Sequence, residues 1–232
     1  MNRGVLVGLI VLVLVAIGFG GWFYVSGKNV DVPQPAVASP AEAGGSDTSE
    51  KAEAVPAVTP DDKFIGKEDA PVTIVEYFSL GCPHCKHFEE DILPKLKADY
   101  IDTGKARLVY RDFPLDNVAF AAALLTRCVN DLAYFAMVDT LFKQQDTWHV
   151  QGGIDKVAEI AKGAGMDKAA FDACISDQAR KDKLVAMQKE AADKFKVEAT
   201  PTFFINDRKL SGVGDYEPFK ATVEAALAAA KK

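Results

Sequence analysis

The chain has 232 residues, of which 49% are hydrophobic and 26% charged, with four cysteines and a net charge of −6. That length admits one domain with attachments or two small domains, and the composition is that of a globular protein with an apolar core. The acidic balance gives no electrostatic footprint for nucleic acid, and four cysteines are too few for a scaffold held mainly by disulfides.

Residues 1–28 set the compartment. Arg3 and the amino terminus precede a run without charge over residues 5–25. At ~1.5 Å of rise per residue, this run is long enough to cross a hydrocarbon core about 30 Å thick, and it exceeds the apolar part of an ordinary secretory signal. It reads as an uncleaved transmembrane helix that holds an exported domain at the inner membrane, periplasmic side outward; Lys28 weighs against that orientation without reversing it. Ala36-Val37-Ala38 has the small-x-small pattern of a cleavage site, so a soluble periplasmic product is the second reading. Residues 29–62 turn to Pro, Ala, Ser, Gly, Glu and Val without apolar periodicity, which reads as a flexible linker. A linker of this kind carries no dimerisation domain, and the chain reads as a monomer.

The folded part is expected over residues 63–232. Val72-Thr73-Ile74-Val75-Glu76-Tyr77-Phe78 is β-branched and aromatic, a buried strand. A helix follows, its core stripe being Phe88, Ile92, Leu96 and Tyr100; Pro94 should kink it, and Gly104 ends it. Residues 106–113 make a second strand. Asn117 and Asp131 are candidate caps for two apolar helices, a shorter helix lies within residues 152–165, Asp167 caps another, and residues 178–195 form a longer amphipathic one. Thr202-Phe203-Phe204-Ile205 is a strand, Asn206-Asp207 a turn, and Lys209-Leu210-Ser211 a short edge strand. Tyr216, Phe219, Val223 and Leu227 share one face of the last helix. The order is βαβ, a helical block, then ββα: an α/β core (residues 63–115 and 196–232) interrupted by a helical insertion (residues 116–195).

Within "SLGCPHCKHFEE" two cysteines and two histidines fall in six residues. A structural zinc site needs four ligands from paired motifs. Cys128 and Cys174 stand alone on separate helices, and His87 and His149 have no matching partners, so no metal is expected. Disulfide exchange needs less: two cysteines one helical turn apart at a strand-to-helix junction, and no cofactor. Cys82, at the helix start, meets unpaired amides and the positive end of the helix dipole, which favour its thiolate; it is the nucleophile. Cys85, a turn deeper, is the resolving thiol. Pro83 suits the first helical turn, which needs no amide donor. His84 can add positive charge or a hydrogen bond to the thiolate, while His87 reads as incidental. In an exported domain two leftover cysteines tend to pair, so Cys128–Cys174 is expected as a structural disulfide, with two buried small hydrophobes as the alternative.

"VEYFSLGCPHCKHFEE", "RDFPL" and "VEATPTFFIN" together resemble the DsbA thiol oxidases of the thioredoxin superfamily, over most of residues 64–230. The resemblance implies a thioredoxin fold with a helical insertion, and a thiol:disulfide oxidoreductase that gives its Cys82–Cys85 disulfide to unfolded, reduced exported proteins. It also implies reoxidation by a quinone-linked membrane thiol oxidase of the DsbB kind. Thr200-Pro201 matches a cis peptide facing the disulfide, where substrate chains pair as an added strand; Ala199 departs from the glycine common before it. Glu76 matches a buried acid that handles protons, the plainer alternative being a solvent-facing edge residue. Glu89 matches a second acid beneath the disulfide, or else is a solvated helix residue. Whether Cys128 and Cys174 pair is left open by the resemblance. A reductase or isomerase for one client pathway, and a peptide-binding chaperone with a structural disulfide, are the competing functions.

Overall fold

The computed structural model describes residues 49–231. Its centre is strand β3 (Val72–Phe78), whose β-branched and aromatic residues are covered on both faces. Six strands make one sheet among the described residues. With β1 (Glu50–Lys51), β2 (Lys63–Gly66), β4 (Ala106–Asp112), β5 (Thr202–Ile205) and β6 (Arg208–Ser211), the order across it is β1-β6-β5-β3-β4-β2. Only β3 and β4 run parallel; their register pairs Glu76 with Tyr110, and β5 sets Phe203 against Glu76 from the other side.

The two-residue period of the strands sorts their side chains into two cores. Ile74, Phe78, Leu108, Tyr110, Phe203 and Ile205 face the larger one. Val75, Tyr77, Val109 and Phe204 face the smaller, covered by Ala191 and Phe195. Glu76 therefore points to the larger side, beneath the first helix. That helix runs as α1 (Pro83–His87), a π turn (Phe88–Ile92), α2 (Leu93–Leu96) and a second π turn (Lys97–Ile101). Phe88, Ile92, Leu96 and Tyr100 are all buried, as their spacing requires. The expected kink at Pro94 is met instead by wider bonding. Leu93 N–H reaches the Phe88 carbonyl five residues back, and Pro94, which needs no donor, sits in the first turn of α2. Gly104, at φ 76°, then turns the chain towards β4.

Between β4 and β5 come six helices: α3 (Asn117–Thr126), α4 (Asp131–Lys143), α5 (Gln145–Trp148), α6 (Ile154–Gly163), α7 (Lys168–Ser176) and α8 (Gln178–Phe195). Asn117 and Asp131 are not the caps. Asp116 and Asn130, each one residue earlier in extended backbone, accept the free amides, and the two expected residues lie inside the first turns. Asp167 does cap α7. Cys128 and Cys174 are disulfide-bonded, joining the chain just after α3 to α7. The last helix, α9 (Tyr216–Ala230), buries Phe219, Val223 and Leu227.

Two expectations at the edges change. Composition assigned residues 49–62 to the linker, yet β1 pairs with β6, and Ala52, Ala54 and Val58 pack on the smaller core. β6 is thus not an edge strand. Arg111 holds this segment: Nε and Nη2 donate to both Asp62 oxygens at 2.9 and 2.7 Å, and Nη2 also donates to the Ala57 carbonyl at 2.6 Å. Strand β2 lies next to β4 and was not legible in "KFIG". The apolar run at residues 5–25 and the rest of the linker lie outside the described residues. Among those described, no helix is long and apolar enough to cross a membrane.

Candidate active site

The two cysteines occupy the junction where β3 leaves the sheet and α1 begins. Cys82 is the N-cap of α1 in extended backbone, with Pro83 just inside. Both thiols are free; Cys82 is 6% exposed and Cys85 fully buried. The Cys82 Sγ–H donates to the Thr200 carbonyl at 3.2 Å. The Thr200-Pro201 peptide is cis, and both residues are buried. The loop from the far end of the chain thus stands against the first cysteine.

The thiols are driven apart in acidity. Cys82 falls to about 5: the Cys85 thiol hydrogen bond lowers it most, burial opposes, and the Thr200 hydroxyl and the backbone amides of Cys85 and His84 lower it further. Thr200 Oγ1 is buried and has no partner in the dithiol form; a Cys82 thiolate supplies it with an acceptor. Burial pushes the Cys85 thiol well up, and the hydrogen bond and charge of Cys82 add to that. His84 is exposed, and what it turns to the sulfur is its backbone amide.

Glu76 lies close to both thiols, and Glu89 lies close to Glu76. Glu76 is 2% exposed, on a central strand, with Oε2 unpartnered, so the solvent-facing reading is excluded. Burial raises its carboxyl well above the usual range, and the charges of Glu89 and Cys82 raise it further. Its protonated form is therefore favoured over that of an exposed glutamate. Glu89 is half-buried and accepts from the Tyr110 hydroxyl at 3.3 Å; burial raises it to about 7.

Three contacts were not legible from local sequence. Gln145, buried on α5, donates to the carbonyls of Leu80 and Cys82. His149 bonds Asp116 at 2.7 Å, and Asp116 also caps α3. His87 places Nδ1 2.8 Å from Asp91 and Nε2 2.9 Å from the Gly214 carbonyl. Both partners are acceptors, so the two bonds form together only when the ring carries both protons. The carbonyl of Gly214, followed by Asp91, accordingly raises the His87 pKa.

The arrangement can exchange disulfides: a stabilised thiolate leaving group at the helix start, a fully buried partner one turn away, and an acid close to both. A family model described as Thioredoxin matches residues 58–225. The chain is 34% identical over 147 residues to a "Putative protein-disulfide oxidoreductase" of Rickettsia bellii, covering 62% of this chain and 57% of that one. It therefore spans little more than half the length of that relative. It is 32% identical over 183 residues to "Disulfide bond formation protein D" of Bacillus subtilis, covering 70% and 76%. Among solved structures, alpha-DsbA1 of Wolbachia pipientis superposes with a TM-score of 0.69 at 32% identity, covering 75% of this chain and 94% of that one. BdbD of Bacillus subtilis superposes with a TM-score of 0.58 at 27% identity. A cysteine of lowered pKa at the helix start, a cis-proline loop against it and these relatives agree: the chain belongs to the thioredoxin family, among its DsbA-like thiol:disulfide oxidoreductases.

Proposed function

We propose that the protein is a thiol oxidase that donates its Cys82–Cys85 disulfide to exported proteins as they fold. A substrate thiolate attacks Cys82 Sγ, and a substrate–Cys82 disulfide forms while Cys85 departs with the electron pair. Cys85, whose thiol is favoured by burial, takes up a proton, for which Glu76 is the adjacent acid. A second substrate thiolate then attacks its partner sulfur in the mixed disulfide and expels Cys82 as the stabilised thiolate. The substrate loses two electrons and the enzyme ends as the dithiol. Thr200 and Pro201 border the sulfur under attack and are the substrate-binding residues in this reading; His84 adds its amide, and Pro83 starts the helix.

The carrying observation is the asymmetry of the two thiols, with Cys82 at about 5 and Cys85 pushed well up. A stabilised thiolate favours the reduced enzyme and makes the disulfide oxidising. The Cys128–Cys174 disulfide supports an oxidising compartment. The apolar run at residues 5–25 supports a periplasmic domain tethered to the inner membrane, and a quinone-linked membrane oxidase is the class of partner that would restore the disulfide. Mixing the oxidised full chain with a reduced dithiol peptide tests the reading. One peptide disulfide should form per enzyme disulfide consumed, and Cys82→Ser should abolish the transfer. Retained activity in cells with Cys82→Ala would favour the chaperone reading, and preferential reduction of peptide disulfides the reductase reading.

A further inference from the structure

The loop carrying Cys82 is held from two sides. Thr200 meets its sulfur, and the other side is held by α5, a four-residue helix of the insertion. Gln145, 3% exposed, donates through Nε2 to the Leu80 carbonyl at 2.7 Å and to the Cys82 carbonyl at 3.1 Å. A side-chain amide nitrogen carries two hydrogens in a fixed plane, so one group can fasten two carbonyls at a set spacing. Cys82 O also accepts the Lys86 amide at 3.1 Å, the first bond of α1. Gln145 therefore grips the loop where it becomes helix. Four residues on, His149 closes the cradle: a Cβ placed on Gly81 would lie 2.6 Å from its Nε2. That nitrogen is bonded to Asp116, so α5 is itself braced against α3.

We propose that Gln145 is a positioning residue for the nucleophile, fixing the Leu80–Cys82 backbone so that the amides of His84 and Cys85 converge on the Cys82 sulfur. This deepens the exchange function proposed for Cys82 and rests on it. The converging amides stabilise a negative charge that exists only in the reduced enzyme. A residue that aims them therefore acts on the dithiol form more than on the disulfide form. A residue that served folding alone would act on both forms alike.

Two full-chain variants test this. Gln145→Met keeps length and burial while removing both donors. Gln145→Asn keeps a side-chain amide but draws it back by one methylene from both carbonyls. The readouts are the Cys82 pKa, from thiolate absorbance against pH, the redox equilibrium with glutathione, and the thermal stability of each redox form. Each variant should raise the Cys82 pKa by about one unit and move the equilibrium about tenfold towards the disulfide, with the dithiol form losing more stability. Wild-type pKa and equilibrium in Gln145→Met, with equal stability losses in the two forms, would overturn the proposal. Should Gln145→Met not fold, wild-type values in Gln145→Asn would overturn it instead. The wild-type arm keeps the underlying function separate: an ordinary thiol pKa for wild-type Cys82 removes the exchange reading, whereas a low value unchanged by both variants removes Gln145 alone.

Discussion

The thiol of Cys82 donates to the carbonyl of Thr200 at 3.2 Å, joining residues 118 apart in sequence. The contact is favourable for the thiol and unfavourable for the thiolate, since a carbonyl oxygen repels negative charge. The Thr200 hydroxyl resolves the conflict, because its oxygen is buried without a partner and can turn its hydrogen to the ionised sulfur. Thr200→Val keeps the shape and removes that donor. The Cys82 pKa should rise by about one unit, in keeping with the loss of one hydrogen bond to a charged group. Cys85→Ala should raise it further, because the Cys85 thiol is the largest lowering influence. Alkylation rate against pH measures both, and the order of the two variants is the check.

Glu76 makes stability depend on pH with a defined sign. Its folded pKa is raised, so above the unfolded value of about 4.3 the native state holds a proton that the unfolded chain has released. Stability must then fall as pH rises from that value up to the folded pKa. Glu89, raised to about 7, adds a slope of the same sign, so denaturant unfolding of the disulfide form, where Cys82 does not titrate, reads the two together. Glu76→Gln should reduce the slope to the Glu89 share and leave the protein more stable than wild type at neutral pH.

Arg111 and Asp62 form a buried bidentate pair that ties residues 49–62 to the sheet. Burial alone would raise the Asp62 carboxyl, but the Arg111 hydrogen bond overrides it and the pKa is lowered. The stability this contributes is present above about pH 4 and is lost as pH falls through the lowered value. Arg111→Leu leaves a buried carboxylate without its partner and should cost about 3–5 kcal/mol. Limited proteolysis should then cut within residues 49–62 faster than in wild type.

The Cys128–Cys174 bridge spans 46 residues of sequence. The chain-entropy argument assigns a loop of that size about 4 kcal/mol. The double variant Cys128→Ser/Cys174→Ser should lose stability of that order in denaturant unfolding, with peptide oxidation by Cys82 retained.

Strongly patterned segments were legible before the structure. β3 and β5 are runs of β-branched and aromatic residues, and α8 spans Gln178–Phe195 as its amphipathic pattern indicates. The Cys-Pro-His-Cys segment carried its own geometry, because a helix start and a one-turn spacing are local properties. What escaped depends on distant partners. β1 and β2 are only two and four residues long, too short for a pattern, and exist because β6 and β4 offer open edges. Gln145 has no local signature, since its role comes from a fold that brings α5 to residues 80–82. His87 read as incidental for the same reason: its second acceptor, Gly214, lies 127 residues away.

The most direct test is the reduction potential of the Cys82–Cys85 couple, from equilibration of the full chain in glutathione buffers. A thiolate stabilised by Cys85, Thr200 and two helix amides predicts a value near that of DsbA, about −120 mV. A value near that of thioredoxin, about −270 mV, would contradict the oxidase function.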